Sequence, residues 1–316
     1  MVSTRLVRLA SALAVLAAVT PSMGQGSEVD IAVVFSRDAA PYRQALTGFE
    51  EVLQASGRQY RLHQLYLDGG LPNDRLIQRI RSRAPELILT IGSSATSVVS
   101  DAIDDIPIVF SLVQPSAGTA TLRGEAGGHQ NLTGSSMEIP LEVQFREVRE
   151  ILPEAKRVGV LYDPEVTGKV VEAAIVSAAA MGMDLVPMSV RSEGDLLAHA
   201  ASLSGVDALW SVADSTVFSP QGLNQILLST LRHRVPFVGL SPSFVKAGAL
   251  LAISVDYADV GRQSGEIADR ILAGEKPSTI PVTAPRKVSL SVNLNTARQI
   301  DVAIGDSIRQ KAQIFF

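Results

Sequence analysis

The pattern of this chain is written twice, and that limits its fold more than any other feature. Ile31–Ser36 (IAVVFS) is an apolar run that ends in a polar turn and leads into a helix-period stretch, and Val158–Asp163 (VGVLYD) repeats the arrangement. Leu87–Thr96 (LILTIGSSAT) has its counterpart in Ala208–Val217 (ALWSVADSTV), and Ile106–Ser111 (IPIVFS) in Val235–Leu240 (VPFVGL). Short apolar runs alternating with longer helix-period stretches predict parallel strands covered on both faces by helices. Two such halves predict an α/β fold of two doubly wound parallel-sheet lobes joined by a multi-strand hinge. A cleft between lobes is a common place for a small ligand.

The pass along the chain supplies the elements. Strands are expected at 31–35, 61–67, 87–91 and 106–110, then at 158–162, 185–190, 208–212 and 236–240. Between them, Pro41–Ser56 carries Ala45, Leu46, Phe49, Val52 and Leu53 at helical spacing, and Gly57 ends it. Asn73 reads as the N-cap of a helix over 73–83, and further helices are expected at 169–181, 192–203 and 222–233. The stripes Val143/Phe145/Val148/Ile151 and Ile226/Leu227/Leu231 read as core. A strand at 248–255, a helix at 260–272, a strand at 288–292 and a helical tail from Thr296 exceed what one lobe needs. The chain therefore crosses between lobes more than once, first in the Gly-, Ser-, Thr- and Pro-rich stretch Gln114–Thr133. The expected division is 28–115 with 258–285 in the first lobe, and 116–257 with 286–316 in the second lobe and hinge crossovers.

The N-terminus points to export. Arg5 and Arg8 precede the uncharged run Leu9–Val19, Pro21 breaks it, and Ser22-Met23-Gly24 offers small residues for a cut. That is the layout of a signal peptide over 1–24, and the run is too short to span a membrane. A soluble periplasmic protein is expected, and the zero cysteine count excludes a lipidated cysteine, disulfides and thiolate metal sites. The net charge is −4 and becomes more negative without the two leader arginines. With no basic cluster, a nucleic-acid partner is not expected. The small-molecule ligand is the expected partner, bound by a monomer without a cofactor.

The candidate site lies where strands end, since ligands of open parallel sheets bind at the carboxyl ends of the strands. Those ends carry Ser36, the Gly92-Ser93-Ser94-Ala95-Thr96 turn, Tyr162, Asp214 with Ser215, and Asp256. Ser93, Ser94 and Thr96, at the start of a helix expected over 95–102, offer hydroxyls and free backbone N–H groups to an anion such as a carboxylate. The alternative is that Ser93 or Ser94 only caps that helix. Asp214 stands opposite Ser93 in the internal repeat and suits an ammonium, so the pair fits an amino acid; Asp214 also reads as a turn cap. Asp256 is either a wall of the cleft near the hinge or the cap of the following helix. Tyr42, Tyr162 and Phe218 are either walls or core. The four histidines are scattered without ligand spacing, and GxSxG, P-loop, GxGxxG and HExxH signatures are absent from the sequence, so no enzyme activity is expected.

An ordered set of motifs carries a family resemblance over nearly the whole chain from Ile31. It comprises Gly92–Thr96, Asn131-Leu132-Thr133-Gly134, Leu152–Tyr162 (LPEAKRVGVLY), Lys246–Leu250 (KAGAL), Val255-Asp256-Tyr257 with Gly261-Arg262, Leu272–Pro277 (LAGEKP) with Ile280-Pro281, and Val292–Ala297 (VNLNTA). With these the chain resembles the ABC transporter substrate-binding proteins related to tryptophan- and tyrosine-binding receptors, of type I periplasmic-binding fold. The resemblance implies a three-strand hinge, closure around one ligand and delivery to an inner-membrane ABC permease. It carries Ser93, Ser94 and Thr96 over as ligand contacts, with Asp214 and Asp256. Gln114-Pro115 stands where many members have Asp-Pro, and Gly92-Ser93-Ser94 where Gly-Thr-Pro is usual. Gln114 thereby joins the candidate contacts, and the ligand is expected to be an amino acid or a similar small polar molecule. A periplasmic partner of a membrane signalling protein is the alternative function.

Overall fold

The computed structural model describes residues 28–114, 129–203 and 205–315. The leader expected over 1–24 lies outside them. The first sheet is built from β1 (Val29–Phe35), β2 (Tyr60–Tyr66), β3 (Leu87–Ile91), β4 (Ile108–Val113) and β5 (Leu132–Ser136). Its order is β2-β1-β3-β4-β5 and every pairing is parallel. Helices α1 (Ala40–Ala55), α2 (Asn73–Arg81) and α3 (Ser93–Ser100) connect the strands. The strands alternate their apolar side chains between two cores, as the period of two requires. Ile31, Val33, Phe35, Leu87 and Leu89 pack with Phe49 and Leu53 of α1, while Ala32, Val34 and Ile88 pack with Leu76 and Ile80 of α2 and Val99 of α3.

The second sheet repeats the plan. After α4 (Leu141–Ile151) come β6 (Arg157–Tyr162), α5 (Pro164–Ala180), β7 (Asp184–Ser189), α6 (Glu193–Ala200), β8 (Ala208–Trp210), α7 (Pro220–His233), β9 (Phe237–Gly239), α8 (Pro242–Ala247) and β10 (Leu251–Val255). Then follow α9 (Tyr257–Leu272), β11 (Val288–Asn293), α10 (Leu294–Gln299), α11 (Asp306–Lys311) and β12 (Gln313–Phe315). The order is β7-β6-β8-β9-β10-β11-β12, with only β10–β11 antiparallel. Its first five positions reproduce those of the first sheet, so the doubled sequence pattern is a doubled topology.

The lobes exchange helices. After β5 the chain crosses at 137–140, and α4 lays Phe145 against Trp210 of the second sheet, ring centroids 5.1 Å apart. After β10 it crosses back at Asp256, and α9 packs on α1, β4 and β5 of the first lobe. The third crossing, 281–288, returns to β11, and on its way Thr283 bridges Ser135 of β5. Asp259 of α9 fastens the second crossing to the third through Arg286 (3.3 Å) and Lys287 (3.8 Å). Burial alone would raise the Asp259 pKa, but the Arg286 and Arg262 guanidiniums hold it below the usual carboxylate range. No helix among the described residues is long and apolar enough to cross a membrane.

Several boundaries differ from the sequence reading. β5 (Leu132–Ser136) pairs with β4 in the first sheet, whereas the sequence reading sets these residues in or beyond the first crossing; residues 115–128 of the expected crossing Gln114–Thr133 lie outside the described residues. Helix α5 begins at Pro164 rather than 169, because Asp163 caps it by accepting the Glu165 N–H at 3.0 Å. Helix α3 begins at Ser93 rather than 95, and the cap position of α2 falls to Pro72 instead of Asn73.

Candidate functional site

The carboxyl end of the first sheet forms one wall. Between β3 and α3 the chain turns through Gly92, whose φ of +93° suits glycine. A Cβ there would stand 2.6 Å from both Ser36 Oγ and Tyr42 Oη, so glycine lets these two side chains close over the turn. Ser36 Oγ accepts the Ala95 N–H at 2.9 Å, and Ser93 Oγ accepts the Gln114 N–H at 3.2 Å. Neither Ser93 nor Ser94 is the cap; that position is Gly92, with no side-chain bond. The first-turn N–H groups of Ser93 and Ser94, and the exposed Ser94 hydroxyl, have no partner among the described residues. Gln114 reaches this wall through a bulge in β4. There the register against β5 shifts between Ser111 and Val113, and buried Leu112 is held left-handed at φ +56°.

The opposite wall and floor enclose a cavity of about 260 Å³. Gln114 comes from the first lobe, Met137, Glu138 and Ile139 from the first crossing, and Tyr257 from the second. Gln144, Thr167, Trp210, Ser211, Ser241 and Ser254 come from the second lobe. Gln144 is fixed at both ends of its amide: Oε1 accepts Trp210 Nε1–H at 3.1 Å, and Nε2 donates to the Ile139 carbonyl at 2.8 Å. That pair locks the indole into the wall. Leu141, Val170, Leu240, Ile253 and Val255 complete an apolar surface beside it. Burial raises the Tyr257 phenol pKa, and the proximity of Tyr42 adds to the shift. The cavity therefore mixes polar side chains, among them Gln114, Thr167, Ser211, Ser241 and Ser254, with the aromatic and aliphatic surface, and Gln114 joins it to the Gly92 turn through the Ser93 hydroxyl. A wider groove of about 1060 Å³ lies across the first crossing, and none of the ten candidate residues borders it.

The structure thus gathers Ser36, Tyr42, Ser93, Ser94 and Gln114 about the Gly92 turn, and of these Gln114 alone lines the 260 Å³ cavity. It places other candidates differently. Thr96 is buried beneath the turn, its hydroxyl shared between the Gly92 carbonyl (2.9 Å) and Thr90 Oγ1 (2.8 Å), so no ligand reaches it. Asp214 is 2% exposed and fully used inside the second lobe. Its Oδ2 accepts from the Asp163 N–H and the Thr167 hydroxyl, and its Oδ1 from the Thr216 and Val217 N–H groups. Four donors fill the carboxylate's lone pairs, so it is a structural cap and not an ammonium partner. Asp256 caps α9 by accepting the Asp259 N–H at 2.9 Å. Tyr162 packs against the core, and Ser215 is exposed outside the cavity lining. Phe218 is core, 5.4 Å from Phe244 and 6.4 Å from Phe237. Sequence reasoning missed Trp210 and Gln144 as a wall. The signal lay in the Val143–Ile151 stripe, whose helix brings Gln144 to the edge of its buried face.

A family model described as ABC transporter substrate binding protein matches residues 28–315. A curated "Tyrosine-binding protein" of Clostridioides difficile is 25% identical over 222 residues, covering 69% of this chain and 63% of that protein. The chain thus spans under two thirds of that relative's length. Among solved structures, the ABC domain in complex with L-Trp from Streptococcus pneumoniae superposes with a TM-score of 0.64 at 21% identity, covering 92% of this chain and 100% of that one. The ligand-free, open structure of a substrate binding protein with adhesive properties from Clostridium difficile gives 0.76 at 21% identity, covering 91% and 99%. At these identities the superpositions show the shared fold.

Proposed function

Because the chain belongs to the ABC transporter substrate-binding protein family, we propose that it is a periplasmic receptor that captures an amino acid with an apolar or aromatic side chain in the inter-lobe cleft, closes about its hinge and delivers the ligand to a membrane permease. The observation that carries this reading is the two-sided cleft. The first wall offers the free amides of α3 and the Ser94 hydroxyl to a carboxylate. The second offers Trp210 and its aliphatic neighbours to a side chain. A ligand that meets both walls only in the closed state shifts the population toward closure. The relatives named for tyrosine and for L-Trp make aromatic amino acids the first to try.

A thermal-shift screen against the twenty amino acids tests the reading. A ligand at one hundred times its Kd adds about 2.7 kcal/mol and raises Tm by a few degrees. The double variant Ser93→Ala/Ser94→Ala is expected to bind that amino acid about fivefold more weakly, from one lost hydrogen bond to the ligand. Unchanged affinity in the double variant would remove the Ser93 and Ser94 hydroxyls from the site, and no shift with any amino acid would sink the proposed ligand class.

A further inference from the structure

We propose that Glu138, on the first crossing, is the group that selects ligands bearing an ammonium. The inference rests on the amino-acid reading of the cleft and names the residue that reads the amine. Among the described residues the cavity lining contains no lysine, arginine or histidine, and Glu138 is its only carboxylate. The carboxylates that the sequence offered for this role are engaged elsewhere: Asp214 by four donors, and Asp256 as the cap of α9. Asp163, at the end of β6, caps α5 and accepts the Thr216 hydroxyl at 2.9 Å. The Glu138 carboxylate has no hydrogen bond or salt bridge among the described residues, and the residue is exposed, bordering both this cavity and the wider groove across the first crossing.

Its backbone, in contrast, is held. The Glu138 N–H donates to Ser136 Oγ at 3.3 Å, and the next residue, Ile139, is 8% exposed and anchored by Gln144 through its carbonyl. An unpaired anion on a fixed backbone beside an otherwise neutral cavity favours a cation there. An ammonium supplies charge-assisted hydrogen bonds to it. The same carboxylate disfavours ligands that present only a carboxylate or a phosphate, because like charges face each other without a compensating base. Since Glu138 sits on a hinge crossing, a bound amine also ties the ligand to the segment about which the lobes move.

Titration calorimetry with three probes separates the possibilities: L-tryptophan, tryptamine, which lacks the carboxylate, and indole-3-propionate, which lacks the amine. The wild-type protein is expected to prefer L-tryptophan over indole-3-propionate by about tenfold or more, and Glu138→Gln to erase that preference by weakening the two amines about tenfold. Glu142→Gln, in the first turn of α4 and outside the cavity lining, is expected to bind all three as the wild type does. Wild-type protein that binds L-tryptophan while Glu138→Gln binds it equally well would overturn the role of Glu138 and leave the receptor reading standing. Wild-type protein that binds none of the three probes would overturn the selection assigned to Glu138, and the receptor reading falls with it only if none of the twenty amino acids shifts the Tm. The Tm of Glu138→Gln, expected to match the wild type because the side chain is exposed and unpaired, excludes misfolding as the cause of any loss.

Discussion

Asp214→Ala lowers the unfolding free energy by about 4 kcal/mol or more, since four donors lose their acceptor at about 1 kcal/mol each. The carboxylate lies almost wholly inside the second lobe and ties its own turn, through Thr216 and Val217, to the start of α5, through Asp163 and Thr167. It accepts from the Asp163 N–H at 2.8 Å, the Thr167 hydroxyl at 2.6 Å, the Thr216 N–H at 3.0 Å and the Val217 N–H at 3.2 Å. Alanine removes the acceptor and leaves the donors buried where water does not replace it. Chemical denaturation of the unliganded protein measures the loss. Ser215→Ala, one residue away and exposed, is expected to stay within about 0.5 kcal/mol of the wild type. An Asp214 that served only to meet a ligand's ammonium would give the reverse pattern, with stability unchanged and binding abolished.

The second large effect is at the seam between α1 and α9. Gly261 lies so close to α1 that a Cβ would sit 1.9 Å from the Ala45 carbonyl oxygen, and Gly48 faces it across the seam with a Cβ position 1.9 Å from the Ala258 carbonyl oxygen. Both obstacles are backbone, which no rotamer change relieves. Gly261→Ala therefore forces the helices apart and costs about 3 kcal/mol, the upper part of the range for overpacking, against a helix-propensity gain of about 1 kcal/mol. A net loss of about 2 kcal/mol is expected in urea unfolding. Gly168→Ala supplies the contrast: nothing lies within 4 Å of its Cβ position in α5, so the propensity gain stands alone and stability rises. A neutral or stabilising Gly261→Ala would mean that α9 does not dock on α1 as described. That docking matters for function because α9 is the element by which the chain returns to the first lobe after the second crossing.

The strands with near-continuous apolar runs were legible in the sequence because burial on both faces leaves them few polar positions. β3 (LILTI) is buried at every residue, and its limits match the expectation. β5 was not legible. Its residues, LTGSS, carry one large apolar side chain, and they form a strand only because β4 and the third crossing flank them. The six-residue α8 was missed for a related reason, since it spans too little chain to show a period. The repeat pointed correctly to paired lobes but misled about Asp214. Alignment of the halves places Asp214 opposite Ser93, yet one is buried and saturated while the other lies at the cleft wall. A sequence shows that a carboxylate ends a strand; it does not show which way the turn folds it. Ser36, Ser93 and Ser94 became candidates because strand ends on one sheet converge by topology, and Gln114 because of its place in the family resemblance. Glu138 and Gln144 escaped because they belong to a crossing and to a helix that serve the other lobe.

The most direct test of ligand capture in the cleft uses the chain's single tryptophan as its reporter. Trp210 lines the cavity and is bonded to Gln144, so an occupant changes its surroundings. Titration with L-tyrosine, followed by tryptophan emission, is predicted to give a saturable change whose midpoint matches the affinity from calorimetry, and Trp210→Phe is predicted to abolish the signal. A calorimetric binding isotherm with no change in Trp210 emission would contradict the account, because it would put the ligand outside the cleft between the lobes.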